Sequence, residues 1–176
     1  MKLFKQGDVV LFRKTDRFIS KVIAKVTSSS YTHVGIIKER KDKEDTYLIA
    51  EAVSEGFVVN EYTFTEIWTR YKSRNIEILR PQSTLYETEV EIEKLEGTPY
   101  GFLQLLNLYL FHITNGLGLD NWFYNNQTRK LICSEAVARV LYHSSKHKLD
   151  LKGEYGKPFE FITPDDIFMS SQFIRA

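Results

Sequence analysis

Short runs of apolar and β-branched residues, separated by polar or turn-forming residues, dominate the first half of the chain. Runs of this length and spacing are typical of β-strands. They predict five strands, at 7–14, 31–38, 46–53, 56–62 and 75–81. The charged segment 39–45, between the second and third of these strands, predicts a hairpin loop.

Helical spacing of apolar residues marks much of the remaining chain. It predicts helices at 16–26 and 66–71, an apolar helix after Pro99 and a further helix from Cys133. Charged residues ending at Gly97 predict a solvated helix at 84–97, and a capped start predicts a final helix at 163–171. Segment 114–130 is rich in glycine and asparagine and predicts a loop, and 143–161 predicts an exposed connection. Strands followed by helices indicate a single α+β domain over 1–176, with an antiparallel sheet packed against helices.

Composition and charge narrow the range of functions. Lys plus Arg number 24 against 23 for Asp plus Glu, a net charge of +1. This balance argues against a nucleic-acid binder, because phosphate contacts need a basic surplus. The apolar run at 101–111 is too short to span a membrane, and the first residues do not resemble a signal peptide, so we expect a cytoplasmic protein. The histidines show no paired ligand spacing and the sequence has no Gly-rich phosphate loop, so we expect no metal and no cofactor.

The only cysteine, Cys133, lies where a short apolar run passes into a helix. A helix N-terminus beside a histidine lowers the pKa of a thiol and makes it a better nucleophile. Val137, Val140, Leu141 and Ser144 share its helical face, so Cys133 begins a buried stripe. Unpaired cysteines are also among the most buried residue types, and an inert core thiol is the alternative.

Among the four histidines, His33 is the one that fits beside Cys133. His143 is ten residues along the same helix, about 15 Å away at 1.5 Å per residue. His147 follows in a polar segment that we expect to be exposed, and His112 ends the apolar helix, where a cap or an interface residue is expected. His33 lies within a predicted strand, where a purely structural histidine is the alternative.

A hairpin of the second and third strands centred on Asp42 places His33 directly opposite Glu51. The same register pairs Ile36 with Leu48 on the other face. Opposed residues have Cβ atoms roughly 4.5 to 5.5 Å apart, so Glu51 could orient the His33 ring through a hydrogen bond. A nucleophile, a base and an orienting acid then come together, although a one-residue change of register would separate them. A solvated carboxylate is the alternative for Glu51.

Six segments occur along the chain in the order "GDVVLF", "YTHVGII", "LIAEAV", "GTPYGF", "ICSEAV" and "ITPDDI". In their order and rough spacing, the chain resembles the circularly permuted NlpC-type papain-like cysteine hydrolases, a group close to the lecithin–retinol acyltransferase-like proteins. The resemblance spans 7–167, and its most specific parts are the histidine in "THVGI" and the Cys-Ser-Glu helix start. It implies a circularly permuted papain-like fold, with the cysteine-bearing helix late in the chain.

The resemblance also implies roles for individual residues. Cys133 would be the nucleophile, His33 the general base and Glu51 the residue that orients His33. The backbone N–H of Cys133, at a helix start, would help to bind the oxyanion. Tyr100 matches the family's tyrosine near the substrate cleft, and we assign Tyr31 to substrate binding with it.

The resemblance implies an acyl-enzyme on Cys133, formed with either a cell-wall-type peptide or a lipid acyl group, and of these we favour hydrolysis of an amide in a cell-wall-type peptide or a related compound. A lipid thioesterase or acyltransferase with the same dyad is one alternative, and a non-catalytic binding module is another. The Leu- and Phe-rich segment 102–124 is either core or an apolar groove for an acyl chain or a membrane surface. The expected partner is therefore a peptide or lipid-acyl substrate and no nucleic acid, and the sequence leaves the oligomeric state open.

Overall fold

The computed structural model describes residues 4–13, 30–41, 45–101 and 130–176. Three features predicted from the sequence lie outside the described residues: the helix at 16–26, the apolar segment 102–124 and all but the last residue of the loop at 114–130. The described residues contain all five predicted strands and the helix that begins at Cys133.

Six strands form one antiparallel sheet in the described part of the chain, and five of them lie where the sequence pattern predicts them. The strands are β1 (Val9–Arg13), β2 (Tyr31–Lys41), β3 (Thr46–Val53), β4 (Gly56–Thr63), β5 (Ile76–Pro81) and β6 (Phe173–Arg175). Their order across the sheet is β4-β3-β2-β1-β5-β6. The consecutive hairpins β2–β3 and β3–β4 therefore form one end of the sheet.

Helices follow the strands and pack against the sheet, which confirms the α+β class. Those described are α1 (Phe64–Lys72), α2 (Thr88–Glu93), α3 (Cys133–Ser144), α4 (Leu151–Tyr155), a 3-10 helix (Phe159–Phe161) and α5 (Pro164–Met169). Both α1 and α5 begin with a capping box, in which Thr63 or Thr163 and the acidic residue three positions later satisfy each other's backbone N–H groups. No helix in these ranges is long and apolar enough to cross a membrane.

Besides the β2–β3 hairpin, two predicted segments differ from the structure. The helix predicted over 84–97 is limited to α2, because Glu87 has a positive φ of 51° and the Tyr86 N–H bonds to the Ser144 carbonyl at 2.7 Å. The segment 143–161 is more than an exposed connection, since it forms α4 and the 3-10 helix. Its apolar residues anchor it to the core, and the buried ones are Leu149, Leu151 and Phe161.

The buried face of α3 packs on β2 and β3. The predicted stripe is confirmed, because Cys133, Val137, Val140, Leu141 and Ser144 are all buried. The helix shares one apolar cluster with sheet residues that include Val34, Ile36, Ala50 and Ala52. Full burial of a large aliphatic side chain stabilises the fold by roughly 1.5 to 3 kcal/mol. This packing holds the start of α3 against the sheet.

The register that we predicted for the β2–β3 hairpin is wrong by two residues. Glu51 pairs with Gly35 and not with His33, and Ile36 pairs with Ala50 and not with Leu48. Because side chains alternate along a strand with a period of two, a difference of two positions keeps each side chain on its predicted face. His33 and Glu51 consequently lie on one face as diagonal neighbours.

Two local features cause this difference in register. Strand β2 continues to Lys41, which pairs with Thr46, so the turn is centred farther along the chain than Asp42. Lys38 is then an extra residue on β2, a bulge that shifts the pairing by one position. Neither feature follows from the hydrophobic pattern of the hairpin.

Candidate active site

Cys133 is the first residue of α3 and is 5% exposed. Ile132, which precedes it, is extended, and no side chain caps the helix at this residue. The Ser134 hydroxyl donates to the Ile162 carbonyl at 2.5 Å and ties the helix start to the segment before α5. The first N–H groups of a helix have no partner within the helix, so the thiol lies beside backbone donors.

His33 is held by Glu51 across the β2–β3 ladder. The His33 Nε2 lies 2.5 Å from the Glu51 Oε2. Gly35, directly opposite Glu51, makes room for this contact, because a Cβ there would lie 2.7 Å from the Ile49 Cγ2 and 3.3 Å from the Glu51 Cβ. Diagonal neighbours are about 7 to 8 Å apart, a separation that a long side chain such as glutamate can bridge.

The imidazole of His33 interacts with both Glu51 and Cys133. Burial by itself lowers the pKa of His33, but hydrogen bonds and charge interactions with Cys133 and Glu51 outweigh it and raise the pKa to about 10. Since Nε2 is bonded to Glu51, the other ring nitrogen is the one available to the thiol. His33 therefore connects the helix start with the sheet.

Glu51 is 2% exposed and accepts two further hydrogen bonds. Asn60 Nδ2 donates to its Oε1 at 2.8 Å, and the Tyr62 hydroxyl donates to the same oxygen at 2.7 Å. Burial raises the pKa of Glu51, but the hydrogen bonds from His33, Asn60 and Tyr62 outweigh it and leave the pKa below its ordinary value. The carboxylate is thus ionised and bonded through both of its oxygens.

Sequence reasoning did not identify Asn60 or Tyr62. Both lie on β4, where Val58 pairs with Glu51, and alternation places Val58, Asn60 and Tyr62 on the Glu51 face. Polar residues at every second position after Val58 were the available signal in "GFVVNEYT". They gain meaning only once the register of β3 against β4 is known.

The two tyrosines assigned to substrate binding lie in different environments. Tyr100 forms a β-bridge with Leu131, two residues before Cys133. Burial, followed by the charge of Cys133, raises the pKa of Tyr100, which indicates that the two side chains are close. Tyr31 is 1% exposed and packs against Phe168 with ring centroids 4.8 Å apart. The structure therefore places Tyr100 near the start of α3 and Tyr31 in the core, and a substrate contact stays a prediction for both.

The other histidines do not join this site in the described residues. His143 and His147 are exposed near the far end of α3, with ring centroids 5.7 Å apart, and His112 lies outside the described residues. In ranges 4–13, 30–41, 45–101 and 130–176, no group of three or more His, Cys, Asp or Glu residues could hold a metal ion.

The arrangement combines the parts that acyl transfer requires. The imidazole of His33 can take the proton of the Cys133 thiol, and Glu51 stabilises the imidazolium that results. The helix start offers backbone N–H groups where the negative charge of an attacked carbonyl would develop. The structure thus brings together the three residues that were predicted as nucleophile, base and orienting acid.

Comparison with known proteins identifies a shared fold. No protein-family model matches the chain, and no curated protein matches it. Among solved structures, the chain is similar to the crystal structure of metalloprotein yiiX from Escherichia coli O157:H7, described as DUF1105. The TM-score is 0.60 at 18% sequence identity, and the alignment covers 98% of this chain and 96% of that chain. The likeness extends over nearly the whole length of both proteins and concerns the fold alone.

Proposed function

We propose that this protein is a cysteine hydrolase with a circularly permuted papain-like fold, of the NlpC type, that cleaves an amide through an acyl-enzyme on Cys133. The observation that carries the proposal is the contact of His33 with Glu51 together with the electrostatic interaction of His33 with Cys133. The likeness to yiiX supports the fold part of the proposal, since it covers nearly the whole chain. The order of the residues supports the permutation, because the histidine strand precedes the cysteine helix.

The reaction follows from the geometry of the site. His33 takes the proton of the thiol, and the sulfur of Cys133 attacks the amide carbonyl while backbone N–H groups at the start of α3 bind the oxyanion. The imidazolium then gives its proton to the leaving amine, and a thioester remains on Cys133. His33 next takes a proton from a water molecule, whose oxygen attacks the thioester. The imidazolium returns this proton to the departing sulfur, which releases the carboxylic acid and regenerates the thiol.

We favour an amide substrate because the chain resembles the NlpC-type hydrolases. A thioesterase or acyltransferase would use the same thiol and imidazole, because the two reactions differ in the leaving group and in the acceptor. The segment that favoured lipid, 102–124, lies outside the described residues. The site itself therefore supports acyl transfer, and the resemblance supplies the amide.

The ionisation of Cys133 tests the proposal directly, because the chain has a single cysteine. A thiolate absorbs ultraviolet light that a thiol does not, so wild type minus Cys133→Ser gives a thiolate signal as a function of pH. We expect the wild type to show this signal below the ordinary thiol value of about 8.5, and His33→Ala to show it only near that value. His143→Ala, which removes an exposed histidine, is the matched control and should behave as the wild type.

Two further results distinguish an amidase from a thioesterase and from a binding module. A wild-type signal that appears only near the ordinary thiol value would contradict the proposal and favour a binding module on this scaffold. If the thiolate is present, amide and ester substrates of the same acyl group should acylate Cys133, detected as a mass increase that Cys133→Ser lacks. Turnover of esters without amides would replace the amidase by a thioesterase.

A further inference from the structure

Three side chains from two strands surround the Glu51 carboxylate. Its Oε2 contacts His33 on β2, and its Oε1 accepts from both Asn60 and Tyr62 on β4. Because Glu51 lies on β3 between these strands, the carboxylate is held from both sides of its own strand. Removal of either β4 donor leaves Oε1 with one partner fewer inside the protein.

The two β4 donors have a chemical consequence for the site as well as a structural one. A hydrogen bond to an ionised carboxylate favours the ionised form, so each donor opposes the burial that would protonate Glu51. Burial, followed by the hydrogen bond to Glu51, raises the pKa of Tyr62. Its hydroxyl therefore keeps its proton and donates to Glu51 at acid and at neutral pH. A carboxylate held in this way keeps its charge and its orientation toward the His33 ring.

We infer that Asn60 and Tyr62 are positioning residues of the Cys133 site, which act through Glu51 to keep it ionised and aimed at His33 in acid as well as at neutral pH. The inference rests on the proposed function, since it requires a thiolate that depends on His33. With Asn60 and Tyr62, the predicted set of three residues becomes five. One of the five lies on α3, and the others lie on the adjacent strands β2, β3 and β4.

The acid limb of the thiolate signal, which is its loss as pH falls, tests this inference. Protonation of Glu51 removes the charge that stabilises the imidazolium, so the thiolate should disappear as pH falls through the pKa of that carboxyl. Tyr62→Phe deletes one donor and should move the acid limb to higher pH by about one unit. Asn60→Asp has nearly the same shape and places a second carboxylate beside Glu51, so its shift should be larger.

Tyr71→Phe is the matched control, since it also removes a tyrosine hydroxyl that donates to an oxygen, here a backbone oxygen of Ala176 at 3.2 Å. Its acid limb should coincide with that of the wild type. Circular dichroism establishes which variants are folded, and the Asn60 and Tyr62 variants provide two independent tests. Unmoved acid limbs in folded variants, with the His33-dependent thiolate intact in the wild type, would overturn the inference alone. Absence of that thiolate in the wild type would overturn the proposed function and the inference together.

Discussion

Glu51 faces Gly35 across the β2–β3 ladder, and it reaches His33 because a bulge at Lys38 lies between this pair and the turn. On the turn side of the bulge, Glu39 pairs with Leu48. If that register continued through β2 without the bulge, Glu51 would pair with Ile36. Its side chain would then lie on the face of the sheet opposite to that of His33. One extra residue in β2 thus decides whether the carboxylate can meet the imidazole.

Deletion of Lys38 tests this role of the bulge. We expect the deletion to move Glu51 to the other face and to abolish the His33-dependent thiolate signal, because the carboxylate no longer reaches the ring. Lys38→Ala is the control: it removes the ion pair with Glu93 but keeps the extra backbone residue, and it should retain the signal. A folded deletion variant with an unchanged thiolate signal would show that the bulge is not required.

Substitution of Gly35 by alanine should crowd Glu51 and so disturb its contact with His33. The new Cβ would lie 2.7 Å from the Ile49 Cγ2 and 3.3 Å from the Glu51 Cβ, so we expect a loss of about 1 to 3 kcal/mol in the free energy of unfolding. The thiolate signal should weaken as well, since Glu51 is displaced. Gly97→Ala is the control, because a Cβ there meets no atom within 4 Å and only the positive φ of 79° opposes it. Urea titration and the thiolate signal should separate the two variants, and equal effects on the thiolate would contradict the prediction.

The raised pKa of His33 makes the stability of the fold depend on pH. Taken alone, a pKa of about 10 in the folded protein against 6.5 gives stabilisation that is complete below pH 6.5 and is lost as pH rises through 10. Above about pH 8.5 an unfolded chain has lost the protons of both its imidazole and its thiol, whereas the folded site still holds one. The free energy of unfolding should therefore fall between about pH 8.5 and 10, on the order of 2 kcal/mol. Urea titrations of wild type and His33→Gln measure this, and an equal fall in both proteins would refute it.

Glu135, in the first turn of α3, should lower the free energy of unfolding at neutral pH. Burial, with the nearby charge of Glu160, raises its pKa to about 7 in spite of the bond from Arg139. An acid with a raised pKa binds more protons in the folded state, so its destabilising effect is absent below about pH 4.5 and grows up to about pH 7. Glu135→Gln should gain stability relative to the wild type over this interval, by roughly 2 to 3 kcal/mol. Urea titrations at several pH values provide the measurement.

Glu160→Gln is the companion variant for Glu135. It removes the carboxylate that bonds Arg139 at 2.8 Å and that also raises the pKa of Glu135. We therefore expect it to reduce the pH dependence assigned to Glu135 without removing it. A wild-type stability that does not decline between these pH values relative to Glu135→Gln would show that Glu135 is not the cause.

The local sequence was sufficient for five of the six described strands and for the buried face of α3, but not for β6, α4 or the 3-10 helix. The apolar stripe of α3 and the five strands could be predicted because burial imposes a period of 3.6 on a helix and of two on a strand. The positions of His33 and Cys133 followed from the same kind of local pattern, and so did the capped start of α5. The predicted proximity of His33 to Glu51 survived a wrong register because the error was an even number of residues.

Only the tertiary structure decided which side chains meet. The bulge at Lys38, the glycine opposite Glu51 and the donors Asn60 and Tyr62 depend on pairings between strands that periodicity leaves unspecified. The burial of Leu149, Leu151 and Phe161 likewise required the surface on which α4 and the 3-10 helix pack. Local patterns determine which side of an element is buried, whereas register depends on the summed free energy of contacts between distant segments. The amino-acid sequence by itself therefore determined five strands, the start of α3 and the candidate site residues, and the packing of the strands decided which of these residues meet.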